Sequence, residues 1–118
     1  MLGIIMKIVD KSIALDELKK MSEKMYDSLV KAVVDIERCI MAVDADMHAD
    51  EEVLLLENDS QQENLWGINI YPYKSGDNWI EFDSMINIRP SQGNRTRGVE
   101  SIVIQEKIKH IVNCLVKK

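Results

Sequence analysis

The chain reads as an α+β domain: a small, mainly antiparallel sheet of three to five strands, with helices packed on one face and a C-terminal helix. Three observations predict this. Leu15, Leu18, Met21, Met25 and Leu29 recur at helical spacing near one end. Ile104, Ile108, Ile111, Val112 and Leu115 do the same near the other. Between them, "LWGINIYPY" and "NWIEFDSMINIR" alternate with period two around the turn-rich "KSGD". Helices combined with antiparallel strands in this way bury one sheet face and leave the other to solvent.

Taken in order, "KIVDKS" reads as a short edge strand. The first helix starts near Ser12 or Asp16 and carries its apolar stripe to Leu29. "LVKAVVDIERCIMAVDA" can extend that helix, but to about thirty residues, long for a small domain. Its Val30, Val33, Val34, Ile36, Ile40 and Val43 favour one bent strand or a pair of strands. "HADEEVLLLEN" is a short helix with acids in its first turn, where the macrodipole favours them. "NDSQQEN" is a polar connection. After the two alternating strands, the last helix starts near Ser101, a good N-cap, and runs to about Val116.

With 118 residues and no linker or repeat, residues 1–118 form a single domain. Met6 is an alternative start, which makes residues 1–5 an N-terminal extension. Apolar residues at 46% and charged residues at 30% argue for a globular chain rather than a disordered one. Seven Met against one Phe predict a core of thioethers and aliphatics. Cys39 and Cys114 lack metal spacing and read as two buried free thiols in a reducing cytosol rather than a disulfide. "MLGIIM" is too short for a signal peptide, and no apolar run approaches the ~20 residues of a membrane span. A cytoplasmic location and no membrane partner are expected.

The charge of −5 conceals an asymmetry. Residues 1–88 carry 18 acids and 8 bases, a net of −10; residues 89–118 carry 2 acids and 7 bases, a net of +5. Eight of the acids fall between Asp44 and Glu63. An acidic body with a basic final quarter disfavours nonspecific binding to nucleic acid. No nucleic-acid motif is present either.

If the two alternating strands form a hairpin, matching apolar to apolar requires residue numbers that add up to an even total. A sum of 150 sets Asn69 opposite Glu81; a sum of 152 sets it opposite Asp83. Either register puts Asn69, Tyr71, Glu81, Asp83, Asn87 and Arg89 on one polar face. Such a face is ordinary for an antiparallel sheet, but Glu81 and Asp83 also suit acid–base chemistry or a divalent cation.

Three of the four arginines, Arg89, Arg95 and Arg97, lie within "NIRPSQGNRTRG". Pro90 stops ladder pairing, and Gly93 and Asn94 suit a left-handed turn. The loop feeds the start of the last helix, where free N–H groups favour anions. Arginine forks grip phosphate or carboxylate, with Gln92, Asn94 and neighbouring Asn69 and Asn87 adding neutral hydrogen bonds. The leading expectation is therefore a binding module for a small anionic ligand through Arg89–Arg97. One alternative is a metal-assisted hydrolase using Glu81 and Asp83. Another is a homo-oligomer in which the loop meets the acidic segment of a second copy. The loop can also pair with that segment internally. His48 and Asp50 are weak metal candidates, and no motif names a cofactor.

"HADEEVLLLEN", "LWGINIYP" and "IEFDSMINIRPSQGNRTRGVE" together resemble a small prokaryotic family, domain of unknown function 5674. The likeness runs from about Val30 to Val112, and "NIRPSQGNR" is its most specific part. It implies a single-domain protein from a bacterium or archaeon and carries no known activity, cofactor or catalytic residue. "AVDAD" stands where the resemblance leads one to expect a glycine-rich turn.

Overall fold

The computed structural model describes residues 6–25 and 27–118. The expected N-terminal extension, residues 1–5, lies outside them. Strands β1 (Lys7–Val9), β2 (Ile13–Ala14), β3 (Val30–Asp35), β4 (Ile40–Val43), β5 (Leu65–Ile70), β6 (Ile80–Glu81) and β7 (Val116–Lys117) combine with helices α1 (Leu15–Ser22), α2 (His48–Glu57) and α3 (Ile102–Leu115). Five strands form one sheet in the order β1-β4-β3-β5-β6, with every neighbouring pair antiparallel. The α+β architecture with a C-terminal helix is thus the one read from the sequence. β2 and β7 form a separate parallel pair that sets Ile13 beside Val116.

The segment between residues 30 and 45 is a hairpin. Its β-branched residues fill β3 and β4, paired from Ala32 with Val43 to Asp35 with Ile40. The turn closes because Asp35 Oδ1 accepts from the backbone N–H groups of both Glu37 and Arg38 at 2.9 Å. Cys39 adopts a positive φ of 59° there. Both cysteines are free, but both are exposed rather than buried.

The first helix is shorter than its apolar stripe suggested. It stops at Ser22, whose Oγ donates back to the Lys19 carbonyl at 2.7 Å, and Ser28 takes a left-handed φ of 56°. Its N-cap is Ala14, with no side-chain cap, so neither Ser12 nor Asp16 serves there. α3 begins as expected: Ser101 Oγ accepts from Ile104 N at 3.2 Å.

The second alternating segment is corrected most. Only Ile80 and Glu81 pair as strand; Met85–Asn87 and Pro90–Gln92 are 3-10 turns. Alternation therefore ends: Asn87 is buried, while Met85 and Ile88 are exposed.

The sheet faces are filled unequally. Leu18 and Met21 of α1, with Ile108, Ile111, Val112 and Leu115 of α3, pack on Val30, Ala32, Val34, Trp66, Ile68 and Ile70. On the opposite face α2 covers one end through Leu55, against Val33, Ala42 and Leu65. The other end of that face carries Lys31, Asn69 and Tyr71, beyond the N-terminus of α2.

Candidate functional site

A row of polar residues crosses three strands at the uncovered end. β3 sets Lys31 beside Asn69 of β5, and β5 sets Asn69 beside Glu81 of β6. The latter is the sum-of-150 register. Asn69 Nδ2 donates to Glu81 Oε1 at 2.9 Å, and Tyr71 Oη donates to the same oxygen at 2.9 Å. Both bonds fall on Oε1, so Glu81 Oε2 keeps its lone pairs for another donor.

Around this row lies a cleft of about 590 Å³. The strands contribute Lys31, Asn69 and Glu81, with Tyr71 directly after β5; Asp83 and Arg97 come from the segments after β6. Asp46, Met47, His48 and Ala49 bring the start of α2 to the same cleft. The α2 N-cap, Met47, supplies no side-chain cap, so the first-turn N–H groups lack that partner. Arg97 Nε donates to Asp83 Oδ1 at 2.7 Å.

His48 is fixed by one bond. Its Nε2 lies 2.7 Å from the Ile68 carbonyl, and a carbonyl only accepts, so Nε2 carries the hydrogen. Burial lowers the imidazole's pKa below its ordinary value, outweighing the carbonyl bond, which favours the neutral ring with Nδ1 as acceptor. Glu51, one turn on, is fully buried; its Oε2 accepts from Ala45 N at 3.0 Å and its Oε1 has no partner.

The sequence model of a family described as proteins of unknown function (DUF5674) matches residues 7–115. The chain belongs to that family. No curated protein and no solved structure gives a significant match to it.

In this DUF5674 chain the arginine-rich segment is mostly tied to the body. Arg89 donates to the carbonyls of Gln62 and Leu65 and stacks 4.2 Å from the Trp66 ring centroid. Gln92 Nε2 donates to Glu63 O at 3.2 Å. Asn87 and Gly67 exchange two hydrogen bonds, while Asn94 Nδ2 donates to the carbonyls of Asn87, Thr96 and Gly98. The loop does meet the end of the acidic segment, yet through backbone carbonyls rather than carboxylates. Arg95 is exposed and does not line the cleft.

The cleft thus gathers Asn69, Tyr71, Glu81, Asp83, Arg97 and His48 from the residues singled out in the sequence, and leaves Asn87, Arg89, Gln92, Asn94, Arg95 and Asp50 outside its lining. Among the described residues no group of three His, Cys, Asp or Glu side chains is placed to hold a metal ion. Lys31, Asp27 and Asp46 were missed. Lys31 had a signal, being the one charged residue in "VKAVV". The helix start at the cleft belongs to α2, whereas α3, the helix the loop feeds, has its own serine cap.

Proposed function

We propose that this DUF5674 protein is a binding module for a small ligand with an anionic group, held in the cleft between the polar row and the start of α2. One observation carries it: Lys31, Arg97 and an N-terminus without a side-chain cap line the same cleft. Lys31 has no ion-pair partner among the described residues. Arg97 is the loop's contribution, and Asn69 sits on the cleft floor between Lys31 and Glu81. Arg89, Asn87, Asn94 and Gln92 hold the loop in the shape that presents Arg97. Arg95, exposed nearby, adds to the positive field at the approach.

An enzymatic role for Glu81 and Asp83 is the second reading. Glu81 faces the cleft with a fixed orientation, which suits a general base. Asp83 is already engaged by Arg97, which weakens the metal-assisted version. Self-association is a third, supported by exposed Met47, Val53, Leu56 and Met85. Two free, exposed thiols suit a reducing cytoplasm, and among the described residues no helix is long and apolar enough to cross a membrane.

A thermal-shift screen of phosphate, nucleotides and small carboxylates separates these readings. The binding module predicts a raised midpoint in the native protein that is lost in Arg97→Ala and Lys31→Ala. A shift unchanged by both substitutions overturns it. Dependence of the shift on a divalent metal and on Asp83 favours the hydrolase, and a concentration-dependent size favours the oligomer.

A further inference from the structure

The cleft contains four carboxylates, Asp27, Asp46, Glu81 and Asp83, against two cations, Lys31 and Arg97. A ligand with only negative charge leaves this excess unmatched. Across the polar row the charge changes sign, with Lys31 of β3 and Glu81 of β6 on opposite sides of Asn69. Tyr71, bonded to Glu81, has its hydroxyl pushed up to about 12, first by desolvation and then by Glu81, with Asp27 and Asp83 adding. That end is acidic. Near His48 stand Lys31 and the Arg97–Asp83 ion pair, and the start of α2 adds its positive dipole end beside Asp46.

The acidic end is rich in fixed acceptors. Glu81 is held by Asn69 and Tyr71 on Oε1 alone. Asn69 is buried, and its Nδ2 must face Glu81 Oε1 and the Asp83 carbonyl at 3.5 Å, because both can only accept. Its Oδ1 is then left without a donor and closed to solvent. A buried carbonyl with no partner is an uncommon state in a folded protein and marks a place where a donor is wanted.

Resting on the anion-binding reading above, we propose that the ligand is a free amino acid, its carboxylate at Lys31, Arg97 and the start of α2, and its ammonium at Glu81 and Asn69. The ammonium reaches Glu81 Oε2 directly and Asn69 Oδ1 after a small side-chain shift that uncovers it. The two charged groups of one zwitterion answer the opposite charges of Lys31 and Glu81 on either side of Asn69.

Calorimetric titration of the native protein tests this, using the common L-amino acids, their N-acetyl derivatives, the corresponding decarboxylated amines and inorganic phosphate. At least one amino acid is expected to bind, with its N-acetyl derivative and its amine each about tenfold weaker or more, roughly the loss of one good ionic contact. Glu81→Gln, which keeps the size of the side chain, weakens the amino acid about tenfold or more and does not weaken phosphate, since it removes a negative charge from the cleft. Equal binding of the N-acetyl derivative, or Arg97-dependent binding of phosphate or a carboxylate with no amino acid bound, overturns the amino-acid ligand and leaves the anion site standing. Equal binding of the amine alone, or no response to any of these, overturns both.

Discussion

Asn87 stands in for a missing strand beside Gly67. Gly67 N donates to Asn87 Oδ1 at 2.8 Å, and Asn87 Nδ2 donates back to Gly67 O at 3.0 Å, so a side-chain amide reproduces the paired bonds of an antiparallel neighbour. β6 has ended at Glu81, and without Asn87 these two groups of β5 are buried and unpaired. The same Nδ2 also donates to Arg97 O at 2.9 Å, linking the sheet to the segment that carries a cleft arginine. Asn87→Ala is therefore expected to destabilise by about 2–4 kcal/mol, since it strands buried backbone groups. Urea unfolding checks this, and a loss under about 0.5 kcal/mol, the usual size of a surface substitution, contradicts the role given to Asn87.

Gly67 is needed for the same junction. A Cβ there meets Ser84 Cβ and Oγ at 2.6 Å. Gly67→Ala is expected to cost about 1–3 kcal/mol through overpacking. Ser84→Gly in the same chain removes both clashing atoms and recovers part of that loss. A double-mutant cycle with no coupling between the two positions rules this contact out as the cause.

The arginines of one loop are expected to separate by role. Arg89→Ala loses bonds to two backbone carbonyls and a stacked ring, a cost of about 2–3 kcal/mol. Arg97→Ala loses only a half-exposed ion pair, worth about 0–1 kcal/mol. Thermal midpoints measured without ligand test this contrast. An Arg97 variant as unstable as the Arg89 variant means that both are structural.

Glu51 gives the fold a dependence on pH. Burial pushes its carboxyl up to about 9, against the opposing effect of the Ala45 N–H and Lys31. The folded form then holds a proton that the unfolded chain releases near its ordinary value of 4.5. This group's contribution is complete below that value and is lost as pH rises towards about 9. Glu51→Gln, which stays neutral, is expected to be more stable than the native protein at pH 8 by about 1–3 kcal/mol. The gap closes near pH 4. Parallel stability curves for the two proteins across that range exclude a protonated Glu51.

The sequence was most legible where a local rule acts alone. Period two narrowed the pairing of Asn69 to Glu81 or Asp83, of which the structure takes Glu81, while Ser101 capping α3 and the strand character of residues 30–43 follow from neighbouring residues. The region after Glu81 did not, because its alternation is real in sequence while its bonds are not strand bonds. Asn87 and Asn94 act as substitutes for backbone there, and a side-chain amide at a given position does not announce which distant peptide it meets. The cleft was half legible for the same reason. Asn69, Glu81 and Asp83 share a strand face by period two, whereas Lys31 and the start of α2 join them only through the sheet order β4-β3-β5. The sequence marked Arg89, Arg95 and Arg97 alike, and only the fold distinguishes the one at the cleft from the two outside it.

The small parallel pairing of Ile13 with Val116 has a kinetic consequence. Its two partners are separated by nearly the whole sequence, so on a ribosome the pair cannot close until the chain beyond α3 has emerged. The antiparallel hairpin of β3 and β4 is free to form much earlier, followed by β5. Synthesis therefore leaves the first strand of the parallel pair waiting for its partner, so the pair closes late and ties the start of α1 to the end of α3.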